Sequence, residues 1–234
     1  MKELYLIRHS APFVKIKDRG RIPFNEFSKN MILSAEGEKN ASKLCNIQEL
    51  SGVDAVYSSN SSRSIETAKY VAENNNLELI VDNRLNEREF GITYIDELPE
   101  NFNYNQFRDE NYKLENGESL KEVNERIYNL LNEVTGERIV FCIHGVMLMS
   151  YLQTICDVYF KDDKFKVSFN GKEIMNGIMS NPDVFKIVFD NDRVIDIQRI
   201  NVIWYLYNFI GSETNEFLWF YTRRIRELFN RKWI

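Results

Sequence analysis

Two short runs of unbroken apolar sequence constrain the fold more than anything else in this chain. One is "LYLI" at residues 4–7; the other is the apolar part of "RIVFCI" at residues 138–143. Neither alternates with polar residues, so neither suits a sheet with one wet face. Both are too short for a typical core helix. An unbroken run of this length reads as a strand covered on both faces, the signature of a parallel sheet between helical layers. Each run also leads into a histidine: Arg8 and His9 follow the first, His144 and Gly145 the second.

The intervening sequence supplies the helical layers. Residues 10–33 are irregular, broken by Pro12, Gly20 and Pro23. Ser34 is then placed to cap a helix, with Glu36 in its first turn and Ala41, Leu44, Cys45 and Gln48 on one face. Residues 54–58 read as a second strand, followed by a helix from near Ser62 with Ile65, Ala68, Val71 and Ala72 on one stripe. Residues 77–81 read as a third strand. Residues 91–117 carry no period and are expected to be a functional loop or to contain short helices. Ser119 and Glu122 form an S-x-x-E capping box, and Val123, Ile127, Leu130, Leu131 and Val134 recur at helical spacing until Gly136. A further helix should start just after Gly145 and run to about Cys156. Strands at 184–189 and 194–200, turned by Asn191 and Asp192, read as a hairpin. Strands alternating with helices predict an α/β fold, a three-layer α/β/α sandwich with a mainly parallel sheet. With no linker or repeat visible, the parse is one domain over residues 1–201 and a helical, aromatic-rich C-terminal extension over 202–234.

Composition narrows the function. The hydrophobic fraction of 44% supports a sizeable core, and mixed charges at 28% with a net charge of -5 argue against a nucleic-acid binder. The chain has two histidines, which excludes a histidine-rich metal site. Cys45, Cys142 and Cys156 form no CxxC, so neither zinc nor another metal is expected, and unpaired cysteines suit a reducing compartment. The apolar stretch at the N-terminus is cut short by Arg8, unlike a signal peptide, and no apolar window is long enough to span a bilayer. The expectation is a soluble cytoplasmic protein.

In open α/β sheets ligands bind beyond the carboxyl ends of the strands. If their strands are neighbours, His9 and His144 meet in one crevice. Arg8 lies beside His9. Arg63 starts the helix after the second strand, where a cation opposes the helix dipole unless an anion is present. Glu87 follows the third strand and reaches the same edge. Guanidinium forks match phosphate oxygens, imidazole is a usable nucleophile at neutral pH, and a carboxyl group of raised pKa can protonate an alcohol leaving group. The set suits metal-free phosphoryl transfer.

The same segments resemble the histidine phosphatase superfamily, also called the phosphoglycerate mutase-like family. "LYLIRHS" looks like its RHG-type signature, "VYSSNSSRSIETA" like its second arginine motif, "RLNEREFG" like its acid-carrying segment, "GESL" like the opening of a later helix and "FCIHGV" like its second histidine motif. They occur in the family's order across most of residues 1–200. The resemblance implies that His9 is the nucleophile that becomes phosphohistidine. It makes Arg8, Arg63 and His144 the phosphate pocket, and Glu87 the proton donor and later the base. No cofactor is implied, and the implied substrate is a small phosphorylated metabolite.

Ser10 stands where the signature most often has glycine, and is expected to be tolerated with one extra hydrogen bond. The stretch "SAPFVKIKDRGRIPFNEF" lacks the mutase branch's Trp-Asn-containing continuation, which favours a phosphatase, whereas "RLNEREFG" keeps a mutase-type phosphotransferase open. A phospholigand-binding protein without turnover is the third reading. Glu89 competes with Glu87 for the acid role, while Arg88 and Glu89 otherwise read as surface charge. The basic loop of Lys15, Lys17, Arg19, Arg21 and Lys29 reads as solvated, with anion binding as the alternative. Tyr94, Phe102, Tyr104, Phe107 and Tyr112 either form a lid or pack a meandering segment onto the sheet. The extension, with Arg223, Arg224, Arg226, Arg231 and Lys232, reads as packing on its own domain or forming a homodimer, in preference to lying on a membrane.

Overall fold

The structure is a computed structural model describing residues 1–13, 23–161 and 164–202. The expectations for Lys15, Lys17, Arg19 and Arg21 and for the extension beyond residue 202 lie outside the described residues.

Its centre is a sheet of β1 (Lys2–Arg8), β2 (Ala55–Ser58), β3 (Leu79–Val81), β4 (Arg138–Ile143), β8 (Asp183–Asp190) and β9 (Arg193–Ile200) in the order β3-β2-β4-β1-β8-β9. The first four are parallel; β8 runs antiparallel to β1, and β9 to β8. Leu4 to Ile7 are all fully buried, as are Ile139 to Ile143, so both apolar runs are strands covered on two faces. On one face α5 (Leu120–Glu133) and α6 (Gly145–Ile155) pack against Leu4, Leu6, Phe141 and Phe185. On the other, α3 (Ser62–Asn74) lies on β2 and β4, with α2 (Ala35–Ser42) against it. This is the expected sandwich.

Local detail follows the physics of each segment. Ser119 caps α5, accepting from the Glu122 amide while the Glu122 carboxylate accepts from the Ser119 amide, a complete capping box. Ser34 caps α2 through the Gly37 amide. The helix expected to continue to Gln48 stops at Ser42 and gives way to two short 3-10 turns, at Lys43–Asn46 and Gln48–Leu50. The buried residues are Ala41, Leu44, Ile47 and Leu50, a spacing of three that suits the tighter winding; Gln48 is exposed and Cys45 only half-buried. In α3, Ala68, Val71 and Ala72 are buried as expected, but Ile65 is half-exposed, and Ser64 is buried instead with its hydroxyl donating to Cys142 O at 2.8 Å.

Residues 91–117 contain a 3-10 turn at Ile95–Glu97 and the helix α4 (Phe102–Arg108). Phe102 packs between Phe90 and Tyr112, while Tyr94 and Tyr104 are exposed. Phe107 packs on Phe160 and Phe165 of a second, antiparallel sheet of β5 (Asp157–Lys161), β6 (Lys164–Phe169) and β7 (Lys172–Gly177). No strand was expected between Cys156 and the 184–189 hairpin arm. The sheet's signal is an Asn-Gly turn, with Asn170 and Gly171 both at positive φ (50° and 77°), between alternating segments. The stretch expected to be irregular over residues 10–33 contains a short helix, α1 (Phe24–Asn30). Among the described residues no helix is long and apolar enough to cross a membrane.

Candidate active site

Strand order builds the site. Because β4 lies between β1 and β2, the residues that follow these three strands emerge side by side. The His9 amide donates to Ile143 O at 3.0 Å and the Ser59 amide to Cys142 O at 3.2 Å, so both neighbours are tied to the end of β4 just before His144. The His9 and His144 rings stand edge to face with centroids 5.2 Å apart. Both are buried, His9 at 7% and His144 at 0% exposure.

Arg63 joins them. It sits in the first turn of α3, 5% exposed, with Nε donating to His9 Nε2 at 3.0 Å and one terminal nitrogen donating to His144 Nδ1 at 2.9 Å. Its outer edge donates to Ser28 of α1, to the carbonyl and, at 3.3 Å, to the hydroxyl. Burial, the largest cause, pushes Arg63 down to about 10, which leaves it charged at neutral pH. Arg8, half-buried at the end of β1, donates to the carbonyls of Met179 and Ser180 at 3.1 and 3.2 Å, while its Nε is shielded from solvent without a hydrogen-bond partner. A Cβ on Gly145 would come within 3.2 Å of that nitrogen, so a glycine lets Arg8 lie against the start of α6.

These contacts fix the protonation of both rings. His9 Nδ1 lies 2.8 Å from Ser10 O, which can only accept, so Nδ1 carries the proton and Nε2 has the lone pair. His144 Nδ1 faces an arginine donor, so its proton is on Nε2, 2.8 Å from Ser59 Oγ. Burial first, and then the charge of Arg63, holds both histidines well below 6.5, so both are neutral at physiological pH.

Glu87 lies on the same edge. Its carboxylate accepts from the amides of Val146 and Met147, at 3.3 and 3.2 Å, in the first turn of α6 directly after His144, and from the Arg88 amide at 3.0 Å. Its charge reaches both Arg8 and Arg63. Glu89 is exposed and accepts from Asn25 at 2.9 Å, away from this cluster. The five residues singled out in the sequence, Arg8, His9, Arg63, Glu87 and His144, are therefore brought to one place. Among the described residues no cluster of His, Cys, Asp or Glu could hold a metal ion.

Arg88 overturns its reading as surface charge. It is 2% exposed and donates to Glu118 O, Gln106 Oε1 and Tyr112 O at 2.6, 2.6 and 2.7 Å, with its guanidinium 4.9 Å from the Phe102 ring centre. It ties residues 91–117 to the acid segment. Ser10 makes its extra bond, donating to Gly37 O at 2.7 Å while its amide donates to Thr67. Ser59 and Ser28 were not picked out by sequence reasoning. Ser59 lies inside a motif already quoted, but nothing in a run of serines marks which one faces a histidine. Ser28 carries no signal at all.

A mainly parallel sandwich that presents paired histidines and arginines at neighbouring strand ends is the architecture of a phosphoryl-group enzyme. A sequence model of the histidine phosphatase superfamily (branch 1) matches residues 4–171, and the chain belongs to that family. Membership makes it a phosphatase- or mutase-type enzyme. Solved structures share the fold at low identity. A mycobacterial glucosyl-3-phosphoglycerate phosphatase in complex with inorganic phosphate is 18% identical, with a TM-score of 0.61 over 86% of this chain and 96% of that one. Mycobacterial hydrolase 1 is 17% identical, with a TM-score of 0.62 over 85% and 98%. A protein from Thermus thermophilus is 19% identical, with a TM-score of 0.58 over 85% and 99%. A comparison with curated protein sequences finds no match.

Proposed function

We propose that the protein is a phosphomonoester hydrolase that works through a phosphohistidine on His9, without a metal, on a small phosphorylated metabolite. The observation that carries this reading is the state of His9. Its Nδ1–H is committed to Ser10 O, which aims an unprotonated Nε2 at the centre of the cluster. In the first step the Nε2 lone pair attacks phosphorus, the ester P–O bond breaks, and Glu87 as the acid gives its proton to the leaving oxygen. In the second, Glu87 as carboxylate takes a proton from water, the hydroxide attacks phosphorus, and the P–N bond breaks back to His9. Arg8, Arg63 and His144 hold the phosphoryl oxygens. The buried Arg8 Nε is a donor that a phosphoryl oxygen would satisfy. The similar mycobacterial phosphatase that holds inorganic phosphate is in keeping with this class of ligand.

The test is release of phosphate from an aryl phosphate in the presence of a chelator, with acid trapping of phosphorylated protein. Wild type should turn over and label on His9. His9→Ala should lose both label and activity, by at least about a thousandfold. Full activity in His9→Ala would refute the reading.

A further inference from the structure

His144 poses a problem of donors. To hold a phosphoryl oxygen it must donate, yet in the present arrangement its Nδ1 accepts from Arg63 and its only proton, on Nε2, points to Ser59. Ser59 is fully buried. Its hydroxyl oxygen lies 3.3 Å from the Ser61 amide, which donates to it, and 2.8 Å from His144 Nε2. Among the described residues the Ser59 hydroxyl hydrogen has no acceptor except Nε2 itself. A buried hydroxyl without an acceptor is costly, and Ser59 gains one if the ring exchanges its tautomer.

We propose that Ser59 is the positioning residue for His144: its hydroxyl accepts from Nε2–H in the present arrangement and donates to Nε2 when a phosphoryl group binds, so that neutral His144 changes from an acceptor to a donor at Nδ1. The inference rests on the phosphate-site reading above. A bound phosphoryl group draws the Arg63 fork onto its own oxygens and frees Nδ1 to do the same. No net proton moves. The ring gains a proton at Nδ1 and loses one at Nε2, both exchanged with water, and the Ser59 hydroxyl rotates. The alternative is uptake of a proton to form an imidazolium. The surroundings oppose it: Arg63 from α3, Arg8 and His9 from the end of β1 and Arg126 from α5 all bear on His144 and disfavour its charged form, while the negative Glu87, which follows the third strand, is engaged by the amides that open α6. A hydroxyl suits the role because it can both accept and donate, which a methyl group or an amide N–H cannot.

The chain has two histidines, so labelling histidine with nitrogen-15 gives two ring systems, told apart in a His9→Gln variant. Sulfate is the probe, because it stays a dianion across the working pH range. At neutral pH the His144 ring should show Nε2–H without sulfate and Nδ1–H with it, and sulfate inhibition should vary little with pH above neutrality. In Ser59→Ala the free ring should keep Nε2–H, because Arg63 still donates to Nδ1, whereas the sulfate-bound ring should show mixed tautomers, with sulfate inhibition weakened about tenfold, the worth of one buried hydrogen bond. Ser59→Thr should restore both. A merely structural serine would weaken binding in Ser59→Ala but leave the tautomers as in wild type, which overturns the proposal. So does an imidazolium at His144 with sulfate bound, or inhibition that falls tenfold per pH unit. Absence of competition by sulfate at any pH, together with activity in His9→Ala, would remove the phosphate-site reading and this inference with it.

Discussion

Arg88→Ala tests the burial of Arg88 as a bonded cation. The guanidinium donates to two backbone carbonyls and one amide oxygen, all at 2.6–2.7 Å, and covers Phe102. Hydrogen bonds to a charged group are worth roughly 1.5–3 kcal/mol each, so the three sum to roughly 4.5–9 kcal/mol before compensation. Releasing a buried cation into water offsets part of this, and water can enter the space. The expected loss is about 3–5 kcal/mol, in line with breaking a buried polar network. With a urea m-value of about 2 kcal/mol/M, the unfolding midpoint should fall by about 1.5–2.5 M. Arg88→Lys keeps the charge but cannot reach all three acceptors, and should lose somewhat less. Glu89→Ala, at the exposed neighbour, should stay within about 0.5 kcal/mol. Because Arg88 follows Glu87 and anchors residues 91–117, the Ala variant should also lose hydrolytic activity under conditions where it remains folded. A loss of stability below about 1 kcal/mol for Arg88→Ala would show that the guanidinium is solvated and not held by these three acceptors.

The buried histidines make stability fall in mild acid. Both have folded values well below 6.5, so the unfolded chain takes up protons that the folded one refuses. Their cost is absent above pH 6.5 and grows below it by about 1.4 kcal/mol per pH unit for each ring, or about 2.8 kcal/mol for the pair at about pH 5.5. Glu3 and Glu122, held at about 2, add their losses only below about 4.5, so urea midpoints between these limits isolate the histidines; a flat profile would contradict their burial as neutral rings. Gly37→Ala would place a Cβ 2.0 Å from Ala11 O, and the backbone shift should cost about 3 kcal/mol, read as a fall in Tm of about 6–12 °C; an unchanged Tm would show that this close approach is relaxed at no cost. Glu87→Gln should slow esters of alkyl alcohols by at least about a hundredfold more than esters of nitrophenols, whose leaving groups need no proton; equal losses would remove Glu87 as the acid.

Much of the sheet and its helices was legible because their causes are local. The unbroken runs at 4–7 and 139–143, the Ser119–Glu122 box and the Asn191 turn each express a preference set within a few residues, and each appears where expected. The α2 segment shows the limit of such reading. A face drawn at helical spacing put Gln48 inside, whereas the chain winds more tightly after Ser42 and buries Ile47. The β5–β7 sheet has a local signal in Asn170 and Gly171, but its burial against Phe107 is a long-range contact.

Local patterns along the chain set the kind of layers, the positions of the strand-end residues and, through ordered motifs, the family. Which strands are neighbours depends on long-range packing, and that order carries the site. Placing β4 between β1 and β2 sets His144 between His9 and Ser59 and lets Arg63 bond both rings. Long-range packing also decides that Arg88 is buried and Glu89 is not. The physical reason is the same in each case. A charged or polar side chain is buried only where distant groups arrive to satisfy it, and the acceptors that hold Arg88 come from residues 106, 112 and 118. No pattern around residue 88 records them.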